Sequence, residues 1–210
     1  MADYILVGDS GHGKVIEDCI VANGEKVIAW LDDRYNILFQ DGPYIKGPLS
    51  IMKKLLKKDI KVIISIGNNV IRQTIVERLQ LKDMDYGIVI HPSAIISPSA
   101  KIEYGTVIMP NVVVNSSSKI GSHTILNTGC IIEHDCVIGN FVHISPSTVL
   151  TGGVIIGEGT QIGANSSVNP LIKIGNWTMV GAGSAVIRNI PNNVTAVGVP
   201  TEIIRKEGLK

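Results

Sequence analysis

Five histidines stand in this chain of 210 residues, and the neighbours of three could put them to chemical use. His134 lies in Glu133-His134-Asp135, between two carboxylates. An imidazole gains and loses a proton near neutral pH, and a carboxylate against one ring nitrogen fixes the tautomer and raises the basicity of the other. That is the equipment of a general base; a solvated surface histidine beside two acids has the same sequence. His12 belongs to a glycine-rich turn, Gly8-Asp9-Ser10-Gly11-His12-Gly13, and His143 to Phe141-Val142-His143-Ile144-Ser145. His91, before Pro92, is expected in a turn, and His123 on the surface. A metal centre is not expected. His123, His134 and His143 stand eleven and nine apart, without a close histidine pair, and Cys19, Cys130 and Cys136 are an odd set without zinc spacing.

The elements that must position these residues are written in two periodicities. From Ile96 to Val186 every sixth residue is a branched aliphatic, sixteen in succession, and two before each sits a small or β-branched residue. A period of six fits neither the helical 3.6 nor an unbroken strand alternation. One large and one small inward position per side, with a corner every six residues, describes a triangular parallel β-helix whose coil closes after eighteen. Residues eighteen apart then stack, so Gly152 falls one coil beyond His134. Cys130 and Cys136 occupy the small inward column and are expected to be inert core thiols. Such coils contact only their neighbours and need their ends covered, which predicts an oligomer.

The ninety residues in front alternate strand and helix. Strands are expected over residues 4–7, 26–31, 61–66 and 86–90, helices from Val15 to about Asn23 and over 48–58 and 70–79, and an irregular segment around Asp41-Gly42-Pro43. This is a small Rossmann-like parallel sheet. Ligands of such sheets bind at the carboxyl ends of the strands. The glycines from Gly8 to Gly13 let backbone N–H groups approach a pyrophosphate at a helix N-terminus, Asp32 is placed to accept from a ribose hydroxyl, and Gly67 lines the third strand end. Two better-known motifs fail: Val15 stands where a P-loop needs Ser or Thr for magnesium, and the glycines read G-x-x-G-x-G, not G-x-G-x-x-G. His91-Pro92 marks the boundary, giving an α/β domain over residues 1–91 and an all-β one over 92–210.

Lys+Arg 19 against Asp+Glu 18 leaves a net charge of +1, which points to neither nucleic acid nor an anionic membrane. No apolar run is long enough to span a bilayer, and the N-terminus enters a strand at once; a cytoplasmic protein is expected.

The Gly-x-Ser-Gly-His-Gly opening, Asp32-Asp33 after the second strand, Ile66-Gly67-Asn68-Asn69 after the third and the hexads that follow together resemble the bacterial nucleotide-sugar N-acetyltransferases of the bacillosamine and perosamine type. Sialic acid O-acetyltransferases are their relatives. The resemblance implies a left-handed β-helix, a homotrimer, acetyl-CoA as donor and a nucleotide-linked amino sugar, a UDP-4-amino-4,6-dideoxy hexose, as acceptor. It makes His134 the catalytic base with Asp135 against it, one methylene shorter than the glutamate usual in that family. It assigns Ser10, Gly11 and His12 to the diphosphate end of the substrate, Asp32 and Asp33 to the nucleoside, Gly67 to contact with the ligand and Asn127 to the acceptor pocket. His143 and Gly152 would serve the thioester and its oxyanion, and Ala164 and Ala182 would line the pantetheine arm. Sugar O-acetylation and a non-catalytic nucleotide-sugar sensor are the competing functions.

Overall fold

The computed structural model describes residues 2–206. Four strands, β1 (Asp3–Val7), β2 (Lys26–Leu31), β4 (Tyr44–Gly47) and β5 (Ile60–Ile64), run parallel in the order β4-β2-β1-β5, and β3 (Phe39–Asp41) closes the edge antiparallel to β4. Apolar runs such as Ile5-Leu6-Val7 and Val62-Ile63-Ile64 are buried on both faces, as a covered parallel sheet requires. Helix α1 (Gly11–Ala22) covers one face, and α2 (Met52–Leu55) and α3 (Asn69–Leu79) pack with the apolar cluster on the other.

Three expectations need correction here. The segment around Asp41-Gly42-Pro43 is the turn of the β3-β4 hairpin, with Gly42 at φ 57. The helix expected over residues 48–58 is a 3-10 turn at Leu49–Ile51 followed by the single turn of α2, because Lys57, Lys58 and Asp59 offer no apolar face to bury. The strand expected over 86–90 does not extend the first sheet. Tyr86 makes one bridge to Val62, and β6 (Val89–Ile90) pairs with Val107–Ile108 of the second region.

From Val89 onward the chain is a left-handed parallel β-helix of two-residue strands, paired eighteen residues apart. Every large position from Ile108 to Val186 is 2% exposed or less. The small column does more than fit. Hydroxyls of Thr106, Ser118, Thr124, Thr148, Thr160 and Ser166 each donate to a carbonyl fifteen residues on, at 2.6 to 3.0 Å, so polar atoms enter the core without being orphaned. The last coil is covered by Val194–Val197, which pairs with Met179–Val180 and with Glu202–Lys206.

The three faces differ in what they turn outward. One, bearing Val107, Ile125, His143, Gln161 and Met179, is covered in its upper part by the first region: Val107, Met109 and Ile125 share an apolar cluster with Ile16, Cys19, Ile20 and Trp30. A second carries Lys101, Lys119 and Lys173 outward and is solvated. The third presents an aliphatic column, Ile95, Val113, Ile131 and Val149, of which Ile95 is 68% exposed.

Candidate active site

His134 and Asp135 occupy the corner between the aliphatic face and the lysine face, directly after Ile131–Ile132. Asp135 has φ 61, a left-handed conformation that aspartate tolerates better than most residues. The turn places its carboxylate 2.9 Å from His134 Nδ1, and both side chains are about two-thirds exposed. With Nδ1–H donating to Asp135, Nε2 is left to accept a proton. The shorter side chain therefore reaches the ring. One coil on, Gly152 underlies the imidazole: a Cβ there would lie 2.6 Å from His134 Cε1 and 2.7 Å from Nε2. Only glycine admits the ring in this pose.

His143, Asn127 and His12 assemble elsewhere. Asn127 Oδ1 accepts from the Thr128 N–H at 2.8 Å, which turns its amide nitrogen toward His143 Nε2 at 3.1 Å. His143 must then hold its proton on Nδ1. His12, in the first turn of α1, lies across from it with ring centroids 6.1 Å apart. His143 Nδ1 and His12 Nε2 are both buried without a hydrogen-bond partner of normal geometry among the described residues. Unpaired polar atoms in such a place are costly unless a ligand meets them. Burial first, and the Arg72 cation second, push both imidazoles down to about 4; for His143 the Gly67 backbone opposes the shift.

At the carboxyl ends of β1, β2 and β5 a cavity of about 200 Å³ opens, lined by Gly8, Asp32, Asp33, Ile66, Ile71 and Ile75 among others. It shares Asp33 and Leu49 with a neighbouring cavity of about 360 Å³ that reaches Arg78 and Lys53. Gly8 has φ 106, and a Cβ on it would lie 2.6 Å from Ile66 Cγ1, so the strand-to-helix turn can only be made by glycine. Ser10 is the N-cap of α1, but its hydroxyl makes no capping bond, and Ser10 and Gly11 are exposed. Asp32 is partly committed already: it accepts from the Asp9 N–H at 2.9 Å and the Arg34 N–H at 3.0 Å, holding the glycine-rich turn in shape. Asp33 faces outward and pairs with Arg78 at 2.8 Å.

Several groups at the site carry no motif in the sequence. Asp9 gathers Tyr35 Oη at 2.5 Å, Lys46 Nζ at 2.9 Å and Arg34 at 3.2 Å. Burial raises its carboxyl, but these partners prevail and hold it below the ordinary carboxylate value. His123 is 5% exposed, contrary to the surface position expected for it. The hexads do put it at a corner, but Tyr86 covers that corner edge-on at 4.5 Å and Phe141 stacks on it at 5.2 Å. The third is Arg72, buried at the seam between the two regions. In the sequence it is one arginine in a helix of mixed polarity, and no local signal marks it.

Ala164 and Ala182 stack on the corner that also bears Asn127, between the covered face and the aliphatic face. His134 and Gly152 stand on the other edge of that aliphatic face. Within one chain, then, the two halves of the expected site lie on different corners. Among the described residues no three His, Cys, Asp or Glu side chains cluster to hold a metal ion, and no helix is long and apolar enough to cross a membrane.

Residues 3–79 match the family described as the PglD N-terminal domain. The structure of PerB, from Caulobacter crescentus, in complex with CoA and GDP-perosamine is similar with a TM-score of 0.88 and 34% identity, covering 98% of each chain. The acetyltransferase domain of PglB from Neisseria gonorrhoeae in complex with acetyl coenzyme A is similar with a TM-score of 0.87 and 32% identity, over 96% of this chain and 98% of that one. A UDP-N-acetylbacillosamine N-acetyltransferase of Bacillus subtilis is 44% identical over 105 residues, so the match spans about half the length of that curated relative. With the same two-part architecture and identity above 30% across nearly its whole length, the chain belongs to the left-handed β-helix family of bacterial nucleotide-sugar N-acetyltransferases.

Proposed function

We propose that this protein transfers the acetyl group of acetyl-CoA to the amine of a nucleotide-linked amino sugar, a UDP-4-amino-4,6-dideoxy hexose, for bacterial glycan or polysaccharide assembly. The observation that carries this reading is the imidazole of His134 braced by Asp135 and lying over Gly152, in a chain similar end to end to a structure holding CoA and GDP-perosamine. Residues 1–91 hold the nucleotide sugar, and 92–210 carry the chemistry. The nucleobase sits in the cavity between Asp32 and Asp33, and the diphosphate on the N–H of Gly11 at the start of α1, with Ser10, His12 and Gly67 alongside. The neutral amine attacks the thioester carbonyl, and His134 Nε2 takes its proton as the C–N bond forms. The oxyanion is met by a backbone N–H at Gly152. The C–S bond then breaks, and the thiolate leaves with the proton His134 carried. Asn127 and His143 border the acetyl group, and Ala164 and Ala182 leave room for the pantetheine arm.

The working unit is a homotrimer. His134 and Gly152 stand on one edge of the aliphatic face and Asn127, Ala164 and Ala182 on the other, so a neighbouring copy joined through Ile95, Val113, Ile131 and Val149 supplies the missing half. The exposure of Ile95, continuous with half-buried Val113, Ile131 and Val149, supports this, since an apolar strip facing water favours association. The enzyme works in the cytoplasm, with its two soluble substrates.

Release of CoA, followed with UDP- and GDP-linked 4-amino sugars against nucleotide sugars bearing only hydroxyls, tests the reading. Turnover confined to the amino sugars is expected. Turnover of the hydroxyl acceptors alone would make it an O-acetyltransferase, and no turnover on any acceptor would leave a binding protein.

A further inference from the structure

Arg72 is the charged side chain most completely withdrawn from water, at 1% exposed, and among the described residues it forms no ion pair with a carboxylate. It is satisfied almost wholly by backbone. Nη1 donates to the carbonyls of Ile66 at 2.9 Å and Gly67 at 3.2 Å, in the turn after β5. Nε donates to the carbonyl of His123 at 2.8 Å, and Nη2 to that of Phe141 at 2.8 Å and to Asn69 Oδ1 at 2.8 Å. His123 and Phe141 belong to successive coils of the prism. Asn69 adds a second strut across the same seam, its amide donating to the carbonyl of Gly159 at 3.0 Å.

A buried cation without a counterion is costly, and burial lowers the Arg72 pKa to about 9. Adhesion does not need it, because the aliphatic cluster around Ile16, Trp30 and Ile125 already joins the two regions. The guanidinium supplies direction, which apolar contacts do not: a planar fork of five donors fits one relative placement of the carbonyls it binds. That placement sets Gly67 and His12 against His143.

We propose that Arg72 is a positioning residue for acetyl transfer, fixing the register of the sugar-nucleotide region on the prism so that the acceptor amine meets the thioester. The inference rests on the function proposed above. It separates two roles of one side chain. The fork sets geometry; the positive charge adds to burial in keeping His12 and His143 neutral, so that His143 retains the tautomer Asn127 requires. The charged and titratable groups around His143 are Arg72 on α3 and His12 on α1.

Arg72→Lys keeps the charge and loses the fork. It is expected to lower kcat by roughly 10²-fold, the cost of misplacing reactants by about 1 Å, while KM for the nucleotide sugar stays within about threefold because its cavity lies wholly in the first region. Its His12 and His143 imidazole signals should titrate in NMR where they do in the wild type. Arg72→Met loses both, and the His143 and His12 imidazole signals should titrate at higher pH in NMR than in the wild type. Wild-type kcat in a folded Arg72→Lys protein would overturn the proposal. Should Arg72→Met not fold, Asn69→Ala takes its place: kcat at least about fivefold lower with KM unchanged supports the inference, and wild-type kcat defeats it. Wild-type turnover is measured first. If there is none, the functional reading has failed, and the titration of His12 and His143 in the Arg72 variants still decides whether the cation governs them.

Discussion

The exposed corner at His134 and the buried seam around Arg72 handle the same side chain in opposite ways. At the corner an imidazole stands two-thirds exposed, with a carboxylate 2.9 Å away and, among the described residues, only the glycine below to restrain it further. At the seam His12, His123 and His143 are sunk among apolar and aromatic neighbours beside a cation, and all three are pushed down to about 4. A base must be reachable and able to change its charge; a group that orients a ligand must do neither. The difference separates the proton-transfer chemistry from the architecture that aims the substrate.

The corner half of this contrast is broken most severely by His134→Ala, expected to reduce kcat by about 10² to 10⁴-fold while the melting temperature holds, since the ring is exposed. CoA release and a thermal melt on the same preparation check it; near-wild-type turnover would mean another base. Gly152→Ala comes next. Its methyl would lie 2.6 Å from the imidazole, so the ring must swing aside, and a loss of roughly 10²-fold in kcat is expected with acetyl-CoA still bound. Retained activity would show that the ring need not lie over Gly152.

The seam half is sharpened by pH. His12, His123 and His143 sit near 4 in the fold against 6.5 for an unperturbed imidazole, so the unfolded chain binds more protons between those values. Stability is therefore intact above pH 6.5 and is lost as pH falls toward 4, on the order of a few kcal/mol per ring. Asp9, held below the 3.8 of a free carboxyl, adds to the loss only beneath that window. Melting curves from pH 7 to 4.5 should show the decline, and His123→Gln should flatten it; a melting temperature constant over that range would contradict the burial of these rings. The smallest effect expected is in reactivity. Diethyl pyrocarbonate should modify His134 well before His12, His123 or His143, and iodoacetamide should leave native Cys130 and Cys136 unlabelled, since both thiols are buried and raised, Cys130 to about 12.

The sixteen hexads made the prism legible residue by residue, because a repeat of six assigns every position an inside or an outside with no help from the rest of the chain. The strand ends bearing Gly8, Asp32 and Gly67 were legible for a similar reason, since glycines and acids after short apolar runs mark the ligand edge of a parallel sheet. His123 was not. The repeat correctly turns it outward, but outward at that corner means toward Tyr86, and no local pattern reports what a distant segment covers. Arg72 escaped for the same cause: in a helix of mixed polarity it looks like any solvated arginine, and only the arrival of the His123 and Phe141 carbonyls makes it a buried hub.

Local periodicity and turn chemistry thus determined the two architectures and put His134, Asp135 and Gly152 in one stack, since those relations are set by spacings of one and eighteen along the chain. Which face of the prism is covered, which histidines lose their water, and where the cation stands that holds the two regions in register were decided by packing between segments some fifty to seventy residues apart. Burial is a property of the pair of surfaces that meet, and neither surface carries it alone.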